Sequence, residues 1–137
     1  MRKVWMLNPH TGGKKIPPML QAEVRKRIND YAEKNYAGKY THLDITFRGA
    51  LCYIDAYQEP AEPAEKLLSQ LEESREEYIE RLRNSPIHLC RIRHFDINSW
   101  SVAFYTYSNE IYSPCTFNGE WLGTVEQAFD IGAGYLV

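Results

Sequence analysis

Three segments with strand character, residues 87–95, 100–107 and 111–117, are separated by only four and three residues. A parallel pair needs a crossover of a dozen residues or more, so connections this short force antiparallel neighbours. The same constraint holds upstream. In residues 41–48 the apolar Leu43, Ile45 and Phe47 alternate with His42, Asp44, Thr46 and Arg48, the period of a half-buried strand. Arg48-Gly49 then reads as a turn, with residues 51–57 as the returning strand of a hairpin. Asn118-Gly119, the strongest hairpin-turn dipeptide, predicts a sixth short strand over 120–122.

Helical periodicity frames this sheet. Leu20, Val24, Ile28 and Tyr31 place one apolar stripe along a helix of about 18 residues, opened by Pro17-Pro18 and closed by Gly38. Residues 58–84 form a charged helical insert flanked by Pro60, Pro63 and Pro86, in which Ser74 and Glu77 make a capping-box signal. Thr124 with Gln127 repeats that signal and opens a C-terminal helix. The chain therefore reads as one α+β domain over residues 1–137. Its antiparallel sheet has five to six strands, a hairpin followed by a meander. Residues 1–16 form an arm whose Trp5, Met6 and Leu7 dock on the core or pair as an edge strand. The predicted core is Leu43, Ile45, Phe47, Ile54, Val102 and Phe104 against Leu20, Val24, Ile28 and Phe129.

At 137 residues and 44% hydrophobic the chain has enough apolar surface for one core without a covalent staple. Cys52, Cys90 and Cys115 are odd in number and form no CxxC pair, which excludes a disulfide framework and a zinc ribbon, and a reducing, cytoplasmic setting is expected. No apolar run approaches a membrane span, so no membrane partner is expected. Charge is segregated. Residues 1–50 hold ten Lys/Arg against four Asp/Glu, and residues 51–84 hold four against nine. That asymmetry suits either an anionic partner on the N-terminal side or two helices solvated on their outer faces.

By the period of two, Tyr53, Asp55 and Tyr57 share one face of their strand, Arg91 and Arg93 oppose Cys90 and Ile92, and Tyr105 pairs with Tyr107. If register brings these sets together, the sheet presents tyrosines interleaved with arginines. Such a surface stacks bases and neutralises phosphates, and it equally suits a protein interface, where Tyr and Arg are favoured as hot spots. A covering helix would reduce it to packing. A second candidate lies in Gly12, Gly13, Lys14 and Lys15, where backbone amides, two cations and a helix start make an anion site, although the spacing is not that of a phosphate-binding P-loop.

His88, Cys90 and His94 fall on one face of their strand by simple alternation, but alternate positions about 7 Å apart rarely converge on one ion. Neither metal nor cofactor is expected. No nucleophile elbow, H-E-x-x-H or E-x-K pattern is present. An acid/base pair drawn from Asp44, Asp55 and His42 stays open. The most coherent enzyme reading is a metal-independent ribonuclease using Arg91, Arg93, His94 and the tyrosines, against which stands the acidic pI of about 6.1.

The stretch from Tyr40 to Gly49 running into Cys52-Tyr-Ile-Asp-Ala-Tyr57, with residues 81–91 and 104–109, resembles a family of short uncharacterised bacterial proteins over most of the chain. The resemblance implies a bacterial, cytoplasmic protein and brings no catalytic or binding residue with it. From the residues, the leading reading is a small non-enzymatic binding module that engages a protein through the Tyr/Arg face. The runner-up is an RNA- or DNA-binding protein.

Overall fold

The computed structural model describes residues 11–136. A helix α1 (Pro18–Tyr36) leads into the hairpin β1 (His42–Arg48) and β2 (Leu51–Tyr57). The insert holds two short helices, α2 (Glu65–Leu68) and α3 (Arg75–Arg83). The meander β3 (Ile87–Asp96), β4 (Ser99–Thr106), β5 (Ile111–Cys115) follows, then α4 (Val125–Gly132) and a 3-10 turn, Ala133–Tyr135. The five strands form one antiparallel sheet in sequence order. The expected arm contacts of Trp5, Met6 and Leu7 lie outside the described residues. No helix among the described residues is long and apolar enough to cross a membrane.

Register sorts the side chains into two faces. Ile45, Ile54, Cys90 and Phe104 are aligned across four strands, and Phe47, Cys52, Ile92 and Val102 form the next row. This face receives α1 and α4: Val24, Ile28 and Ala32 of α1 and Val125, Ala128 and Phe129 of α4 are buried with it. Leu43, Phe47 and Leu20 are only half-buried at its margin. Phe104, an expected core residue, is half-buried and lies outside the core cluster. Trp100 is the largest fully buried side chain instead, with its indole N–H bonded to the Ile97 carbonyl at 2.9 Å. Ile16, from the arm, is fully buried as well.

One irregularity matters for function. Ile54 pairs with Cys90, whereas the next residue, Asp55, pairs with His88, so Leu89 is an extra residue in β3. This β-bulge lets Leu89 and Cys90 both bury on the helix face and turns His88 to the other. Leu89 seats α4: a Cβ at Gly132 would stand 2.9 Å from the Leu89 Cβ, so only glycine permits this approach.

Both expected capping boxes form, at Ser74/Glu77 and Thr124/Gln127. The sixth strand does not. After Asn118-Gly119 the pairing stops at two isolated bridges, Phe117 with Glu120 and Trp100 with Gly123. Helices α2 and α3 bury no residue. Their arginines hold the insert's own acids: Arg75 pairs with Glu62, Arg81 with Glu73, and Arg83 with Glu59 and Glu80.

Candidate binding face

With α1 and α4 packed on one side, the other side of the sheet is covered by neither. Its residues stand in four transverse rows. Arg48, Leu51, Arg93 and Ser101 make the first, and Thr46, Tyr53, Arg91 and Ala103 the second. Asp44, Asp55 and His88 make the third, His42 and Tyr57 the fourth. Tyr112, opposite Tyr105, carries the surface onto β5.

Six of the seven expected site residues meet here. Tyr53 and Tyr112 have ring centroids 5.6 Å apart, Tyr112 and Tyr105 5.1 Å, Tyr105 and Tyr107 4.8 Å. All three contacts are edge-to-face, the favoured geometry for aromatic quadrupoles. Tyr107 lies one residue beyond β4, at the end of the row, and meets Tyr135 at 5.3 Å. The Arg91 guanidinium sits 5.3 Å over the Tyr112 ring. Arg93 stands beside it, while Asp55 faces the ring of His88. The seventh residue, Tyr57, is apart from this chain of rings and stacks on His42 at 4.3 Å.

The electrostatics of the face differ from those of the insert. Among the described residues, Arg48, Arg91 and Arg93 have no carboxylate partner. Burial, and then the neighbouring Arg91, lower the pKa of Arg93, as expected of cations gathered without a counter-charge. Burial raises the Tyr112 phenol, which stays protonated and able to donate. Arg25, by contrast, belongs to the helix side: it donates to the Ile45 carbonyl at 3.1 Å and covers Phe47.

The glycine-lysine loop is tied to the cationic end. Arg93 donates to the Gly12 carbonyl at 3.0 Å, and the Lys14 amide donates to His94 O at 2.8 Å. Gly13, at φ +87°, lies so close that a Cβ there would meet His94 O at 2.6 Å. The Lys14 amide is thus committed and Pro17 and Pro18 have none. Lys14 and Lys15, both exposed, are the loop's cations.

Simple alternation misassigned one histidine, His88, while His94 keeps the face expected of it and so lies away from Arg91 and Arg93. The bulge separates His88 from Cys90, so the three side chains expected on one face are divided. His94 stays on the core side, buried against Trp100 at 4.7 Å, and cannot serve a ligand on the tyrosine face. Among the described residues, no three His, Cys, Asp or Glu are placed to hold a metal ion. His88 takes the place expected of His94. Its Nδ1 lies 2.9 Å from Asp55 Oδ1, and its ring packs 4.7 Å from Tyr105. Sequence reading had also passed over Tyr112 and Arg48. Arg48 was legible from its alternation with Phe47, and Tyr112 from the short connection that sets it opposite Tyr105.

A cleft of about 850 Å³ opens at the end of the sheet near Tyr107, between the insert and the body, lined by Tyr40, Pro60, Leu82, Ile87 and Tyr135 among others. Comparison of the chain with protein families, curated proteins and solved structures returns no match.

Proposed function

We propose that the protein is a binding module for single-stranded nucleic acid, engaged through the face formed by Tyr53, Tyr105, Tyr112, Arg91 and Arg93. One observation carries this reading. The insert's arginines are paired to carboxylates, whereas those on the tyrosine face have none among the described residues. Clustered arginines repel one another, and an anionic partner relieves that repulsion. Tyrosine rings beside them offer stacking surface to bases without regard to sequence. The acidic overall charge is concentrated in the insert, where much of it is already neutralised locally.

Titration of labelled single-stranded RNA and DNA between low and physiological salt tests the proposal. Arg91→Ala and Arg93→Ala should each weaken binding and lower the salt slope by about one phosphate's worth. Tyr53→Ala or Tyr112→Ala should cost about 1–3 kcal/mol if the ring stacks a base. Absence of wild-type binding at high micromolar protein overturns the reading.

A protein partner has its own support in Tyr107 and Ile111, 47% and 53% exposed, close together where β4 turns into β5. In that case Tyr107→Ala dominates the loss, and affinity varies little with salt.

A further inference from the structure

We infer that His88, oriented by Asp55, is the general base of a metal-independent cleavage of single-stranded RNA on this face. The inference rests on the single-strand reading above and adds a reaction to it.

The imidazole is held from two directions and its backbone by a third contact. Asp55 Oδ1 lies 2.9 Å from Nδ1, the Tyr105 ring packs at 4.7 Å, and the His88 amide donates to the Tyr107 hydroxyl at 2.7 Å. A carboxylate on Nδ1 fixes the proton there and leaves the lone pair on Nε2. Nε2 itself has no hydrogen-bond partner among the described residues. No buried side-chain nitrogen or oxygen among the described residues lacks a hydrogen bond, so Nε2 is open to solvent. An oriented histidine with a solvent-facing basic nitrogen is what proton abstraction requires.

Among the described residues, no serine, threonine or cysteine side chain is hydrogen-bonded to the His88 ring to be activated as a nucleophile. Ser101 is buried, and Cys52 and Cys90 are buried on the opposite side with their thiol pKa values raised by that burial. RNA brings its own nucleophile, the ribose 2′-hydroxyl. Arg91 is the next residue of β3 on this face beyond the bulge, and its guanidinium has no carboxylate to satisfy it, so it is placed to hold the phosphate and the charge that builds on it.

The step closes without a co-reactant. His88 Nε2 takes the 2′-hydroxyl proton, the 2′-oxygen forms a bond to phosphorus, and the bond from phosphorus to the 5′-oxygen breaks. The departing oxygen takes a proton from water, and the imidazolium returns its own to solvent. One product ends in a 2′,3′-cyclic phosphate and the other in a 5′-hydroxyl, with no change of oxidation state.

Asp55 is a positioning residue, with its carboxylate on the His88 Nδ1. Its replacement by asparagine should slow cleavage while the methylated strand still binds, and Asp55→Glu should recover part of the rate, a rescue that loss of packing alone would not produce.

The experiment compares an RNA strand with its 2′-O-methyl counterpart, in EDTA, with wild type, His88→Gln and Asp55→Asn. Wild type should cut the RNA to cyclic-phosphate ends and bind the methylated strand intact. His88→Gln should lose about 10²–10⁴-fold in rate while still binding the methylated strand. Wild type that binds both strands and cuts neither overturns the activity and leaves the binding reading standing. Binding of neither strand overturns both. Cleavage by His88→Gln at the wild-type rate overturns the assignment of the base.

Discussion

The two faces of this sheet share every backbone hydrogen bond and differ in what each does with its side chains. On the helix side Cys52, Ile54, Ile92 and Trp100 are sealed beneath α1 and α4. On the other side the residues between them, Tyr53, Arg91, Arg93 and Ser101, gather rings and cations that no described helix covers. Stability belongs to the first set. The second keeps a like-charged cluster that folding does not need, and the contrast teaches where the molecule invests in folding and where it invests in recognition.

Truncation of the two faces should separate them most sharply. Phe129→Ala should cost about 3–5 kcal/mol through lost burial and a residual cavity, whereas Arg91→Ala should stay within about 0.5 kcal/mol of wild type. Urea unfolding of both variants reads the difference. Equal losses would mean that the tyrosine face is a second core. Phe104→Ala, half-buried and outside the cluster, should fall between the two.

A narrower probe is Gly132→Ala. The added methyl collides with Leu89 and should destabilise by about 1–3 kcal/mol, visible as a lower thermal midpoint. An unchanged midpoint would mean that α4 can lift off the bulge without loss.

Alkaline titration sharpens the helix side further. Tyr31 and Tyr36 both donate to Asp130 at 2.7 Å. The Asp130 hydrogen bond first, and burial second, raise the Tyr31 phenol to about 12, while burial leads for Tyr36, also about 12. Both folded values lie above the ordinary phenol value of about 10. Their contribution is therefore complete below about pH 10 and is lost as pH rises through about 12. Wild-type stability should fall across that window more than that of Asp130→Ala, and parallel profiles would remove these bonds from the account.

The smallest expected effects lie in the insert. Amides of α2 and α3 should exchange faster than those of β2, β3 and β4, because no insert helix residue is buried. Protection equal to that of the central strands would show the insert packed as part of the body.

Much of this architecture was readable in advance because short connections and strict alternation leave few options. Strand β2 falls on its expected residues, and both capping boxes form. The error in the site's histidine traces to one residue. An inserted Leu89 has no local signature, since nothing in Ile87-His88-Leu89-Cys90 differs from an unbroken strand, and only the partner's register exposes it. That residue moves His88 from the sulfur-lined core to the tyrosine face, and so the histidine of the candidate site could not be chosen correctly. Phe104 failed for another reason: α4 seats on Leu89 through Gly132 and on Cys90 through the Ala128 carbonyl, and aromatic size alone did not predict where the helix would settle.

Strand order has a consequence for how the chain folds. Each strand pairs with its neighbour in sequence, so β1 with β2, and β3 with β4 and then β5, can zip across short turns at little entropic cost. Only the joining of β2 to β3 must close over residues 58–86. Compared with a four-residue turn, that loop is nearly three doublings longer and adds about 2 kcal/mol to closure. The hairpin and the meander can therefore form as separate nuclei, and their meeting, which brings Asp55 to His88, is the step that a shorter insert would accelerate.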